Sequence, residues 1–139
     1  MNDNLATVSA IYEAFGKGDV PTILSHLSED VVWEAWADNW AQKAGVPWMA
    51  PRRGREGALE FFKVVGQFDV KDFRILSIMA GNNQVAVEFV FEAVVPGGGH
   101  YRDEEMHLWT FNDQGQVIRL RHYLDTAKHI AVAGGNAAV

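Results

Sequence analysis

The stretch from residue 84 to residue 124, QVAVEFVFEAVVPGGGHYRDEEMHLWTFNDQGQVIRLRHYL, decides the fold. Three runs rich in β-branched and aromatic residues, near Gln84–Val95, His100–Phe111 and Gln116–Leu124, are divided by Pro96-Gly-Gly-Gly99 and Asn112-Asp-Gln-Gly115. Both dividers are turn sequences. A fourth run, Asp72–Ala80, precedes them across Gly81-Asn82-Asn83. Turns this short join strands antiparallel, so the second half of the chain reads as a meander. Gly97-Gly98-Gly99 leads from strand to strand and not into a helix, which makes it a hairpin turn and not a phosphate loop.

Upstream the period changes. Leu5, Val8, Ile11, Tyr12 and Phe15 share one face of a helix that Gly16-Lys-Gly18 stops. Asp19 is placed as an N-cap with Pro21 in the first turn, so a second short helix carries Ile23, Leu24 and Leu27 inward. Val31-Val32-Trp33-Glu34 reads as a strand. A further helix runs from about Arg55 to Val65, with Ala58, Leu59, Phe61 and Phe62 as its apolar face. Asp125-Thr126 caps a last short helix, and residues 134–139 read as a flexible tail. Helices first and a meander afterwards give an α+β fold, helices packed on one face of a curved sheet.

The chain has 139 residues, the length of one domain, and 48% of them are hydrophobic. Twelve Lys and Arg against eighteen Asp and Glu give a net charge of -6, which argues against nucleic-acid binding through clustered cations. There is no cysteine, hence no disulfide, thiolate metal site or cysteine nucleophile. Apolar runs fall well short of the ~20 residues a membrane span needs. The start Met1-Asn-Asp-Asn has neither the basic residues nor the apolar run of a signal peptide, so a cytoplasmic protein is expected.

Residues 36–52 do not fit the alternation of helix and strand. Four of the five tryptophans lie between positions 33 and 48, and Trp36 and Trp40 are four apart in a helix-friendly stretch ending at Gly45 and Pro47. Long aromatic insertions are commonly functional, and the expectation is a lid over the site with Trp36 and Trp40 at its mouth. The alternative is that these tryptophans patch the edge of the core.

Alternation along the strands selects the candidate chemistry. In the last strand Ile118, Leu120, His122 and Leu124 share the inward face, and Val117, Arg119, Arg121 and Tyr123 the outward one. In the strand from Gln84, the residues Val85, Val87, Phe89 and Phe91 point inward. Between them, either Glu105, His107, Trp109 and Phe111 or Met106, Leu108 and Thr110 face in; the first set carries the larger aromatic load and is preferred. His107 and His122 then form a candidate acid–base pair, since imidazole titrates near neutral pH. Each alone could equally be a core histidine bonded to backbone. No HxH or HExxH spacing supports a metal, and no G-x-S-x-G elbow supports a serine nucleophile.

The segments Ile11-Tyr-Glu-Ala-Phe-Gly-Lys-Gly-Asp19, Leu27-Ser-Glu-Asp-Val-Val-Trp-Glu34, Gly54-Arg-Glu-Gly-Ala-Leu-Glu-Phe-Phe62 and Arg121-His-Tyr-Leu-Asp125 resemble the SnoaL-like, ketosteroid isomerase-related branch of the nuclear transport factor 2-like superfamily. The resemblance implies a cone-shaped α+β barrel with a pocket between sheet and helices, and a homodimer. Matched to the steroid isomerases, their helix tyrosine falls on Ile11, one residue from Tyr12, their general-base aspartate on Ala35 and their protonated aspartate on His107. Matched to the cyclases, His107 takes the strand histidine's place, while the partner aspartate's place is nearest His122; Asp125 follows three residues later as a helix cap.

The reading is a cofactor-independent, metal-free isomerase or cyclase-like enzyme transferring a proton next to a carbonyl of an apolar, ring-containing substrate. His107 donates to the oxyanion and His122 moves the proton. Ile11, Tyr12, Trp33, Phe89, Trp109, Leu120 and Leu124 line the pocket, with Trp36 and Trp40 at the mouth. A non-catalytic binder of a small hydrophobic ligand and a dimeric interaction domain are the alternatives. Met106, Leu108, Val90 and Tyr123, interleaved with Arg119 and Arg121, are expected to form the dimer face.

Overall fold

The computed structural model describes residues 3–34, 36 and 38–139. Helices α1 (Asn4–Gly16) and α2 (Val20–Ser25) lead into strand β1 (Leu27–Trp33), then a short helix α3 (Trp40–Lys43) and a 3-10 turn (Pro47–Met49). Strand β2 (Arg52–Arg53) and helix α4 (Gly54–Val65) follow, then the strands β3 (Asp69–Gly81), β4 (Gln84–Val94), β5 (His100–Phe111) and β6 (Val117–Tyr123). Helix α5 (Thr126–Ala133) and strand β7 (Ala137–Ala138) close the chain. The fold is α+β: helices cover one side of a curved mixed sheet with the order β2-β1-β6-β5-β4-β3. The β3–β6 meander is antiparallel, while β1 runs parallel to β6.

Local chemistry sets the element ends. The Asp19 carboxylate accepts from Thr22 N–H at the start of α2, and Asp125 accepts from Lys128 N–H at the start of α5. Asp125 is therefore a cap, as its position after the last strand suggested. Phe61 and Phe62 on α4 pack against Trp33 of β1, and Val8, Ile11 and Tyr12 on α1 are buried against the meander. Each such side chain contributes about 1.5–3 kcal/mol by leaving water.

Three expectations change. A bulge in β6 sets Thr110 opposite Arg119 but Phe111 opposite Val117, leaving Ile118 as the extra residue. Val117 is consequently buried, and the simple alternation holds only from Arg119 onward. Trp36 and Trp40 do not share a helix, because Asn39 caps α3 and Trp40 is its first residue. Residues 134–139, expected as a tail without pairing, contain a short strand: Ala137–Ala138 pair in parallel with the start of β5, and His100 N–H donates to the Asn136 carbonyl. Among the described residues no helix is long and apolar enough to cross a membrane.

Candidate active site

Between the helices and the inward face of the sheet lies a cavity of about 60 Å³. That admits a few waters and is smaller than the ~150 Å³ that holds a benzene, so a ring enters only if the lining gives way. Aromatic side chains from α1, α4 and the meander make most of the wall, with Trp33 and Trp109 in edge-to-face contact at 5.9 Å. Glu105, His107, His122, Tyr12 and Tyr101 are its titratable members.

His107 and His122 face each other in register on β5 and β6, with ring centroids 4.4 Å apart. Their environments are opposite. The Trp109 indole N–H donates to the Tyr12 hydroxyl oxygen (3.0 Å), and the Tyr12 hydroxyl lies 2.5 Å from His107 Nδ1. Burial holds the Tyr12 phenol well above its usual range, against the Trp109 bond, so it keeps its proton. With its oxygen already accepting from Trp109, the phenol donates to Nδ1, and His107 carries its own proton on Nε2. That Nε2–H makes no hydrogen bond among the described residues. Burial, and then the neighbouring His122 charge, push His107 well below the ordinary imidazole value despite Glu105, so the ring is neutral.

His122 is held as a cation. Its Nδ1–H donates to Glu34 Oε2 (3.1 Å) and its Nε2–H to Glu105 Oε1 (2.6 Å). Burial opposes the charge, but Glu105 and Glu34 push His122 up to about 10. Burial likewise opposes the Glu105 carboxylate, yet the His122 charge and the bonds from His122 and His129 hold it at about 2. Glu34 also accepts the His122 backbone N–H (3.1 Å), so one carboxylate grips the residue twice. Its backbone leaves β1 at φ 61, a left-handed conformation that glutamate rarely adopts. Leu120 O accepting its N–H and Gln42 Nε2 donating to its carbonyl hold that turn.

The chain of buried groups continues to α5. His129 Nε2 lies 2.9 Å from Glu105 Oε2 and 3.0 Å from Asp103 Oδ2, and the Trp48 indole N–H donates to its Nδ1 (2.8 Å). Against burial, the two carboxylates raise this ring's affinity for a second proton. That proton would sit on Nδ1, facing an indole nitrogen that can only donate, so the ring is read as neutral with its proton on Nε2. Asp103, Glu105 and His129 offer ligand atoms within 4.8 Å of one another, the one such cluster among the described residues. A cation there would need Nε2 deprotonated and Nδ1 protonated, setting two N–H donors against each other across the Trp48 contact. The donor set therefore suits a hydrogen-bonded frame better than a metal.

Ile11, Tyr12, Trp33, Phe89, Trp109 and Leu120 line the cavity together with the two histidines. Trp36, Trp40 and Leu124 do not; with Arg121, His122 and Tyr123 they line a second, more open pocket of about 500 Å³ beside β6, and His122 belongs to both. There Trp36 packs on Tyr123, and Trp40 is 66% exposed. From the 36–52 segment it is Trp48 that reaches the cavity, while Ala41, Val46 and Met49 are core residues. Ala35, the position matched to the isomerases' aspartate, and Ala37 lie outside the described residues. The role of proton mover does not fit His122, because both of its N–H groups are engaged and its proton is tightly held. Glu105 was expected on the inward face beside His107 but not as a site residue, and Glu34, Asp103 and His129 are the unforeseen members. Asp103 and Glu105 alternate with His107 on one strand face, which was a usable signal; Glu34 and His129 gave none.

A family model described as the SnoaL-like domain matches residues 8–120. No curated protein matches the sequence. Among solved structures, an NTF2-like protein of unknown function from Burkholderia pseudomallei K96243 is 22% identical, with 96% of this chain and 98% of that one covered at a TM-score of 0.77. TerC, co-crystallized with polyporic acid, is 23% identical over 96% of this chain and 99% of its own, TM-score 0.75. A candidate polyketide cyclase from Xanthomonas campestris pv. campestris is 22% identical over 94% and 96%, TM-score 0.68. At these identities the likeness concerns the fold.

Proposed function

The chain belongs to the SnoaL-like domain family, and from that premise we propose a small-molecule enzyme, an isomerase or cyclase, that transfers a proton next to a carbonyl of an apolar, ring-containing substrate. The observation that carries this reading is the neutral His107, fixed by Tyr12 with its Nε2–H free of partners among the described residues, directly opposite a buried cationic His122. A carbonyl oxygen accepts from His107 Nε2–H, and the imidazolium 4.4 Å from that ring favours the negative charge that develops on the oxygen. Glu105, the carboxylate in the cavity wall, takes the carbon-bound proton and later returns it. Its charge passes to the substrate as it does so, and the total charge of the site does not change. Because two imidazoles donate to it, Glu105 is a weak base, which restricts the reaction to carbon acids activated from two sides.

The co-crystallized TerC supports an organic ring compound as ligand for this fold. The almost wholly apolar wall favours a second reading, a binding module without catalysis. The two part in one experiment with 2-tetralone, whose C1 protons lie between a carbonyl and an aromatic ring. Deuterium incorporation at C1, followed by NMR in heavy water, is expected to run faster with the protein than without it. His107→Ala is expected to lower that acceleration by about 10²–10³-fold. Exchange at the solvent rate with the wild type, although 2-tetralone binds, would leave the binding module.

In the same reading two chains pair through the outer face of the sheet. The Nε atoms of Arg119 and Arg121 and the Trp36 indole nitrogen are buried there without hydrogen-bond partners among the described residues. Tyr123 beside them is exposed. A facing copy would cover the exposed tyrosine.

A further inference from the structure

The pocket beside β6 originates in the sheet. The pairing of β1 with β6 ends at Trp33 and Leu120, and the chain turns away at Glu34. The gap beside the end of β6 is framed by Trp36 and by the first residues of α3 and α5. At about 500 Å³ it has the size of a small-molecule site, whereas the cavity under the helices measures about 60 Å³. Its wall joins aromatic surface to one unspent charge. Trp40 and Tyr123 are exposed, and Trp36 packs edge-on against Tyr123 at 4.7 Å. The Arg121 guanidinium lies over the Trp36 ring at 4.9 Å, a contact that restrains the side chain. Arg121 makes no side-chain ion pair or hydrogen bond among the described residues. Of its nitrogens only Nε is enclosed; the two terminal ones are open to an acceptor. The other charges in the wall are engaged. Asp38 pairs with Lys43 (3.1 Å), and the His122 N–H groups are held by Glu34 and Glu105. Lys43 also lies over the Trp40 ring at 4.8 Å and brings positive charge to the rim.

We infer that this pocket is a second ligand site, distinct from the cavity under the helices, and that it takes an aromatic monocarboxylate. The carboxylate accepts from the terminal nitrogens of Arg121, whose planar fork matches two oxygens. The ring lies against Trp40 and Tyr123, covering aromatic surface that water now meets. One free cation answers one negative charge. A phosphate dianion would bring a second charge towards Asp38 with no cation left to take it. A neutral ring compound would leave the guanidinium unanswered. The site touches the cavity of the proposed reaction only through His122, so either reading can fail without the other. The competing occupant is a second copy of the chain, because Arg121 and Tyr123 also stand on the proposed pairing face. Trp40, on α3, does not belong to that face.

Three probes test this: 2-naphthoate, its neutral counterpart 2-naphthamide, and its saturated counterpart decalin-2-carboxylate. Affinities are measured by calorimetry on the wild type, on Arg121→Gln and on Trp40→Ala. The wild type is expected to bind 2-naphthoate about 3–10-fold tighter than either counterpart, the worth of a partly exposed ion pair or of one aromatic contact. Arg121→Gln should remove the preference for the acid over the amide. Trp40→Ala, at an exposed position off the pairing face, should weaken 2-naphthoate by a similar factor and leave the fold intact. Nuclear Overhauser contacts from the naphthalene protons should reach Trp40 and Tyr123. Contacts to Phe89 and Trp109 instead would put the ligand in the inner cavity and overturn the inference. So would an amide that binds the wild type as tightly as the acid, unchanged binding in Trp40→Ala, or no saturation by 2-naphthoate at millimolar concentration. A decalin-2-carboxylate that binds as tightly as 2-naphthoate would overturn the aromatic class. Light scattering with and without 2-naphthoate should give the same mass; a mass that halves on saturation would show that a second copy is the natural occupant.

Discussion

Raising the pH should unlock the frame beneath the cavity, and the size of the effect follows from one contact pair. His122 is held at about 10 in the folded chain by Glu105 and Glu34, against an ordinary value of 6.5. The folded state binds this proton more tightly than the unfolded state. The stabilisation is therefore complete below the unfolded value and disappears as the pH rises through about 10. In full it amounts to ~5 kcal/mol, at about 1.4 kcal/mol for each pH unit separating the folded from the unfolded value. The low value of Glu105 is the same contact counted from the acid side and adds nothing further. His107, held below its ordinary value, acts in the opposite sense and only below about 6.5. Between about pH 7 and pH 10 the protein should thus lose roughly 3.5 kcal/mol, which shifts the urea midpoint by ~2 M at a slope of ~2 kcal/mol/M. Tryptophan fluorescence during urea titration reads the midpoint, and histidine NMR should show both His122 nitrogens protonated at about pH 8. A midpoint that stays flat over this range, or a His122 that titrates near 6.5, would refute the argument.

Two further outcomes can be checked. A Cβ added at Gly99 would lie 2.0 Å from the Val132 carbonyl oxygen, a backbone atom of α5. Gly99→Ala should therefore displace the end of that helix and lower stability by ~1–3 kcal/mol, seen as a lower thermal midpoint; an unchanged midpoint would show that α5 shifts freely. Light scattering at micromolar concentration should give about twice the 15.5 kDa chain mass, and the chain mass itself would end the pairing through the outer sheet face.

The fold was legible where sequence and backbone rules agree. Pro96-Gly-Gly-Gly99 and Asn112-Asp-Gln-Gly115 fix the hairpins, and Val85, Val87, Phe89 and Phe91 show their inward side by alternation. The bulge at Ile118 was not legible, because one extra residue leaves a strand's composition unchanged while it reverses the faces before it. In the site, parity placed His107 and His122 together, and their rings do meet. Their charge states could not be read, since these depend on Glu34 and Tyr12, 88 and 95 residues distant along the chain. The spacing of Trp36 and Trp40 suggested a shared helix face, but the Asn39 cap starts α3 between them.

The conformation of Glu34 limits how this scaffold can change. At φ 61 the backbone favours glycine, asparagine or aspartate, while the two bonds to His122 demand a carboxylate of glutamate's length. Glycine and asparagine relieve the backbone but take one of the two carboxylates, Glu34 and Glu105, from the imidazolium. Aspartate keeps the charge but stops ~1.5 Å short, by one carbon–carbon bond. Every single step away from this residue thus gives up one of its two duties. A lineage that acquires new chemistry on this frame has its open routes elsewhere, in the aromatic wall, where size and polarity can drift one residue at a time.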